Sequence, residues 1–303
     1  MASPIKNVVL IGAGGNLGPY ILKEFLAAPG LNVNVLSRPD SKSTFPADVT
    51  VLKSDYTVPS LTSAFRSAHA DVVVSLVGTP GFGAQQAFID AAIAAGVRRF
   101  VPSEFGSDTS NKAVLSLVPF LNGKREVVDY LKSKEGAIEW TGVVTGPFFD
   151  WGLKVGFLGF DVAGRKASVW DGGVARWGTT NVKDIGRALV GLVTRGEAWE
   201  KSANRYVYVA GFVVTQKEVL AAFEKVTGEK WSVEEVSVEA RAKAAREGIE
   251  KGDFGKAADL LLAATFGKEE LGTLPELWNE VVGLPAKGDL ELTVKEVVEG
   301  KRP

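Results

Sequence analysis

The chain has 303 residues, enough for two domains or one enlarged α/β unit with a substantial core. Charged residues make up 23% of it, the net charge is -1, and no basic cluster is interleaved with aromatics, so nucleic acid is not an expected partner. There is no cysteine and one histidine, which excludes disulfides, thiol nucleophiles, thiolate metal sites, serine-histidine triads and multi-histidine zinc centres.

Proton transfer must therefore use Lys, Tyr, Asp, Glu, Ser or water, and no metal site is expected. His69 stands just before an apolar strand and is a surface linker residue. Residues 1–6 carry no apolar signal core, and no run of 18 apolar residues occurs, so a soluble, cytoplasmic protein that does not enter membranes is expected.

The chain opens on Val8-Val9-Leu10-Ile11, a continuous apolar run that suits a parallel strand covered on both faces. Gly12, Gly15 and Gly18 follow at intervals of three, and helical apolar spacing begins at Pro19. Strand, glycine turn and helix together form a cradle for a dinucleotide pyrophosphate. The first glycine permits the turn and the second admits the phosphates to bare backbone around Asn16 and Leu17. The third lets the helix pack closely on the strand, with its positive end at the anion. Gly14 also fits a tighter Gly-x-Gly spelling, and sequence does not choose between the two registers.

Further strands are predicted at 32–36, 49–53, 71–77, 99–103 and 139–144, with helices at 18–28, 59–67, 84–95 and about 119–134. Such alternation predicts a Rossmann-type, doubly wound parallel sheet with helices on both faces and a ligand crevice beyond the carboxyl ends of the strands. The second strand ends in Ser37-Arg38, with Lys42 four residues on. Cations where an acidic residue would grip a ribose 2′-hydroxyl favour a 2′-phosphate, and so NADP(H). The other reading makes Arg38 a solvated loop charge and gives the ribose to Asp40. Asp55 is an adenine contact or a helix cap. Gly78 and Thr79 should pass beside the cofactor, and Gln86 either reaches it or is an exposed helix residue.

The stretch Arg99-Phe-Val-Pro-Ser-Glu-Phe-Gly106 resembles the signature of the isoflavone reductase and phenylcoumaran benzylic ether reductase group, atypical short-chain dehydrogenases related to the NmrA-like proteins. The resemblance runs from the glycine turn through Arg38, the Gln86 helix and Ser103-Glu104-Phe105 to Gly146-Pro-Phe-Phe149. It resumes at Asn181-Val-Lys-Asp-Ile-Gly186. It implies an NADP-dependent oxidoreductase with Ser103, Glu104 and Phe105 beside the cofactor. Glu104 caps the next loop or orients a lysine.

Tyr130 and Lys134 have the spacing of the ordinary short-chain dehydrogenase pair. A helix rising about 1.5 Å per residue places Lys134 roughly 15 Å beyond Lys124, at the wrong edge of the sheet. Lys124 is the lysine near the cofactor, and Phe120, four residues before it, has no proton to give. The resemblance implies that Lys124 acts as acid or base. Alternatively it hydrogen-bonds the nicotinamide ribose, orients substrate, or is a surface lysine. A lysine of ordinary pKa is a poor base at neutral pH, so that role needs burial or cationic neighbours. Val128 stands where the family has a second basic residue, which weakens the case for a phenolic ether substrate.

Two parts are expected: residues 1–150 as the NADP-binding domain and 151–303 as a smaller, mostly helical substrate-binding region, some of whose elements return to the main sheet. Phe148, Phe149 and Trp151 either stack on an aromatic substrate or form interdomain core. A hairpin is predicted between 168–170 and 174–177, a helix from 184 to 194, a strand at 206–209 and a capped helix from Thr215 to Gly228. Helix continues over 238–266 with a break near Gly252, then at 275–283 and 293–299. The expected function is an NADPH-dependent reductase of a small aromatic or conjugated carbonyl or quinone-type substrate. The alternatives are an NADP-sensing regulator without turnover and a structural protein with an empty Rossmann fold. A homodimer is compatible with the sequence.

Overall fold

The computed structural model describes residues 5–302; residue 303 and residues 1–4, which include most of the stretch read as lacking a signal core, lie outside the described residues. The first half runs β1 (Asn7–Ile11), α1 (Gly18–Leu26), β2 (Asn32–Ser37), β3 (Thr50–Lys53), α2 (Val58–Ser67), β4 (Val72–Ser75), α3 (Gln85–Ala95), β5 (Arg99–Val101), α4 (Lys112–Leu117), α5 (Asn122–Ser133) and β6 (Glu139–Val144). There follow α6 (Phe149–Lys154), β7 (Phe160–Asp161), β8 (Lys166–Trp170), β9 (Trp177–Thr179), α7 (Val182–Thr194), α8 (Gly196–Lys201) and β10 (Arg205–Tyr208). The chain closes with β11 (Phe212–Val214), α9 (Gln216–Thr227), β12 (Ser232–Val236), α10 (Val238–Glu250), α11 (Ala257–Phe266) and α12 (Leu290–Val298).

β1 pairs in parallel with β2 on one side and β4 on the other, so neither edge nor face of it meets water. Val8 and Leu10 pack on the face covered by α1 and α7, while Val9 and Ile11 pack on the face covered by α2, α3 and α5. Alternation of side chains across a strand buried on both faces is why the run is apolar at every position. Each such side chain contributes about 1.5–3 kcal/mol by leaving water.

The sheet has seven strands in the order β3-β2-β1-β4-β5-β6-β10, all parallel. This is the doubly wound Rossmann-type α/β fold expected. Chain order reverses between β1 and β4, which places a crevice at their carboxyl ends. The second half supplies both β10, at the edge beside β6, and α7, which packs against α1.

A second core unites α4, α6, β8, β9, α9, α10, α11 and α12 around Phe149, Phe160, Trp170, Trp177, Phe223 and Phe266. The predicted hairpin does not form there. β8 pairs antiparallel with β7 and in parallel with β12, and β9 pairs with β11. Buried Ala167, Val169 and Trp170 make β8 the centre strand of its small sheet, held by a partner 66 residues away rather than by the next turn. β7, β11 and β12 were not expected. β12 buries only Val236, so its sequence carries little apolar signal.

The helix predicted at 275–283 is a series of turns tied to β10 through the Trp278 N–H, which donates to the Tyr208 carbonyl at 2.8 Å. The Thr215 capping box forms as predicted, with Glu218 bonding back to the Thr215 N–H at 2.7 Å. α12 starts at Leu290, three residues earlier than expected, because the Asp289 carboxylate accepts from the Leu292 N–H at 2.9 Å. Among the described residues, no helix is long and apolar enough to cross a membrane.

Candidate active site

At the carboxyl end of β1 the chain turns through Gly12, whose φ is +83° and whose missing Cβ would lie 2.9 Å from the Leu76 main-chain carbon. A side chain there would be both strained and blocked by the loop after β4. Gly18 opens α1 with its Cα against the Ala13 backbone, where a Cβ would stand 2.3 Å from the carbonyl oxygen. The Gly15 N–H closes the turn on the Gly12 carbonyl at 3.0 Å.

Two cavities flank this turn. The smaller, about 370 Å³, lies over the ends of β1 and β2 and is lined by Gly12, Gly14, Ser37, Arg38, Ser41 and Tyr56 among others. The larger, about 670 Å³, is lined by Gly15, Asn16, Leu17, Thr79, Ser103, Phe105 and Lys124, and by an apolar wall that includes Phe148 and Trp151. Gly15, Leu76, Val77 and Gly78 border both, so the cavities form one trough across the switch point.

The 370 Å³ end offers a cation and hydroxyls. Arg38 is 62% exposed and makes only a loose 3.7 Å pair with Asp40, which leaves its guanidinium able to turn to an anion. A tight glycine turn backed by the loop after β4, with an arginine at one end of the trough, suits a nucleotide carrying a 2′-phosphate. Two neighbouring residues lie outside the lining, Lys42 against expectation and Asp55 in the second of its two readings, the helix cap. Lys42 is exposed and outside the lining. Asp55 is exposed too, its carboxylate accepting from the Thr57 N–H at 3.0 Å and the Thr57 hydroxyl at 2.8 Å. Those bonds hold its carboxyl below the usual range, and they make it the residue that fixes the entry to α2. Tyr56, in the left-handed region at φ +66°, is the side chain of this segment that reaches the trough.

Gln86 requires a correction. It is exposed, and its neighbour Gln85 is wholly buried, accepting from the Ser103 N–H at 3.0 Å. Successive helix residues point about 100° apart, so only one of the pair can face the sheet. The Ser103 hydroxyl donates to the Val77 carbonyl at 2.7 Å, which links the ends of β4 and β5 beneath the larger cavity.

Lys124 lies in the first turn of α5 and is buried. Its Nζ donates to the Glu104 carbonyl at 2.8 Å and approaches the Phe105 carbonyl at 3.4 Å, with the Phe82 ring centroid 5.6 Å away. Burial lowers its proton affinity and the Glu104 carboxyl opposes the change. The positive end of α5 acts in the same direction as burial. Phe120, four residues earlier, lines the same cavity and offers no hydroxyl. Tyr130 and Lys134 are at the far end of the helix and outside the trough. The Tyr130 hydroxyl donates to Asp90 at 2.6 Å, a bond that pushes its pKa up to about 12.

Glu104 contributes a main-chain acceptor to the lysine, while its side chain is buried beneath the cavity rather than lining it. Of the three aromatics proposed for substrate, Phe148 and Trp151 line the larger cavity. Phe149 does not: it is fully buried in the second core, 4.7 Å from Phe212 and 6.1 Å from Trp177 by ring centroids. Its N–H donates to the Thr180 carbonyl at 2.9 Å.

Sequence reasoning missed Phe82, Leu261 and Thr265, all lining residues. Phe82, in the glycine-rich stretch after β4, could have been found from its place in the chain. Leu261 and Thr265 are brought over the cavity by α11 and carry no local signal. Among the described residues, no group of three His, Asp or Glu side chains is placed to hold a metal ion.

The NmrA-like family model matches residues 4–252. The oxidoreductase aprR of Aspergillus flavus is 39% identical over 250 residues, covering 81% of this chain and 82% of its own. The isoflavone reductase homologue IRL of Zea mays is 31% identical over 262 residues, covering 82% of each. Among solved structures, AtPrR2 with NADP+ and (+)pinoresinol superposes with a TM-score of 0.77 at 21% identity, covering 98% of this chain and all of that one. A ternary complex of leucoanthocyanidin reductase from Vitis vinifera gives 0.79 at 18% identity, covering 96% and 99%. These structural likenesses establish the fold, and the sequence matches establish kinship: the chain belongs to the NmrA-like family, on its isoflavone reductase-like side.

Proposed function

We propose that the chain is an NADPH-dependent reductase of a small aromatic or conjugated carbonyl or quinone-type substrate. The observation that carries this reading is the place of Lys124. Among the described residues it is the one ionisable side chain lining the larger cavity, set where the glycine trough opens into an aromatic wall. Relatives named as oxidoreductases, and fold neighbours solved with NADP+ or NADPH, support it.

The turn at Gly12, Gly15 and Gly18, with Asn16 and Leu17, would receive the pyrophosphate at the positive end of α1. Arg38 and Ser37 would hold the 2′-phosphate, with Lys42 adding charge from outside the lining. Gly78, Thr79 and Ser103 border the nicotinamide end. When bound, the reduced nicotinamide supplies the hydride. Lys124, held by two carbonyls, has one remaining N–H for the cavity, where it can polarise a substrate oxygen and pass it a proton. Phe148 and Trp151 give a substrate ring apolar surface and exclude water from the reacting face.

The test is loss of reduced-nicotinamide absorbance with a panel of quinones, enones and phenylpropanoids, comparing wild type with Lys124→Ala. Turnover by wild type, reduced at least about hundredfold in the variant, is expected. NADPH protection against melting without turnover on any substrate would favour an NADP-sensing regulator, and undiminished turnover by Lys124→Ala would remove the lysine from the chemistry.

A further inference from the structure

Beside Lys124 the protein buries an acid that the reaction as described above does not use: Nζ bonds the main-chain carbonyl of Glu104 at 2.8 Å, while the carboxyl makes no direct ion pair with it. Glu104 follows β5 and is fully buried. Its Cγ lies over Gly142 of β6, where an added Cβ would come within 3.4 Å of it and 3.0 Å of the Tyr206 ring. A glycine in the middle of a buried strand thus makes room for a carboxyl group. Oε2 accepts from the Thr109 hydroxyl, and Thr109 Oγ1 lies 3.0 Å from the Tyr206 hydroxyl. With the Thr109 proton committed to Glu104, Tyr206 is the donor to Thr109, so a chain of two hydroxyls ends on the carboxyl. Oε1 has no hydrogen-bond partner.

We propose that Glu104 is a positioning residue that holds the proton on Lys124: its ionised carboxylate, seated over Gly142 and fed by Thr109 and Tyr206, is the countercharge of an otherwise unbalanced buried ammonium. Several groups face the pair. Arg125 on α5 is engaged by Asp129 at 2.8 Å, and Asp108, in the loop before α4, accepts from the Ser110 N–H at 2.8 Å. Tyr206 on β10 is kept protonated by burial and by Glu104 itself. Burial is the larger influence on both, lowering the proton affinity of Lys124 and raising that of Glu104, and each charge offsets part of that drift in the other. An ammonium retained in this way can give up a proton at a pH where an isolated buried lysine would already have lost it.

Its catalytic meaning rests on Lys124 being the proton donor, but its physical content can be measured without turnover. Lysine side-chain NMR on the free protein, with the Lys124 signal assigned by its loss in Lys124→Arg, reports the titration of Nζ. In Glu104→Gln the midpoint should fall by at least about one pH unit, because a nearby opposite charge raises a buried ammonium's pKa by about that much or more. Thr109→Val, which strips a donor from the carboxylate, should lower it less. Coincident titrations in wild type and Glu104→Gln would overturn the proposal. So would a wild-type Glu104 carboxyl carbon with the shift of the neutral acid at neutral pH, a measurement that stands even if the variants do not fold. In active protein the alkaline limb of the turnover profile should move to lower pH in Glu104→Gln, with NADPH affinity unchanged. Full activity in Lys124→Ala would sink the reductase mechanism and leave the NMR result standing.

Discussion

Phe148 and Phe149 are adjacent and identical, and the fold gives them different work. Phe149 is fully buried between Phe212 and Trp177, whereas Phe148 is half-buried, lines the 670 Å³ cavity and touches Trp151 edge-on at 6.5 Å. Phe149→Ala removes a packed ring from a core that has no means of refilling the space, a loss of about 3–5 kcal/mol. At roughly 2.1 cal/mol/K per residue, a chain of 303 residues has an unfolding entropy of roughly 0.6 kcal/mol/K, so the melting temperature should fall by about 5–8 °C. Phe148→Ala opens an existing cavity rather than creating one. Its cost should be about 1 kcal/mol, or less than about 2 °C. Loss of a stacking wall should instead raise the substrate KM about tenfold, equivalent to roughly 1.4 kcal/mol of binding. Scanning calorimetry and initial-rate kinetics on the two variants check this. Equal melting temperatures, or a lower one for Phe148→Ala, would refute the assignment of one ring to the core and the other to the site.

Arg38→Ala should weaken NADPH binding at least about tenfold while leaving NADH unchanged, since one charge-assisted bond is worth about 1.5–3 kcal/mol and only NADPH carries the 2′-phosphate. Isothermal titration of both nucleotides checks this, and equal losses would show that Arg38 contacts something common to both. Tyr130→Phe should leave turnover within about twofold, because its hydroxyl bonds Asp90 away from the trough. A large loss would mean that the Tyr-x-x-x-Lys spacing carries the chemistry after all.

The candidate site was legible to the extent that its residues belong to one strand-turn-helix unit. Gly12 and Gly18 are readable because backbone crowding at the βα turn leaves no room for a Cβ, Gly15 because it keeps their spacing, and Lys124 because helical rise alone separates it from Lys134. Gln86 was read in place of Gln85 because one helix position decides which of two identical neighbours faces the sheet, and α3 begins a residue later than its apolar spacing suggests. Asp55 and Lys42 point to solvent because their loops do, which no residue type dictates.

The parallel sheet followed from apolar runs alternating with amphipathic helices, since burial on both faces forces a local pattern that any reader of the chain can see. The second core carried no such pattern. β8 finds β12 across 66 residues, β9 finds β11, and α11 brings Leu261 over the cavity, all through pairings between distant segments whose energy arises only once both have folded. The same is true of the acid beside the lysine. Glu104 and Thr109 share the loop after β5, Gly142 is in β6 and Tyr206 in β10, and only the convergence of these three stretches gives the carboxyl its seat and its hydroxyl partner.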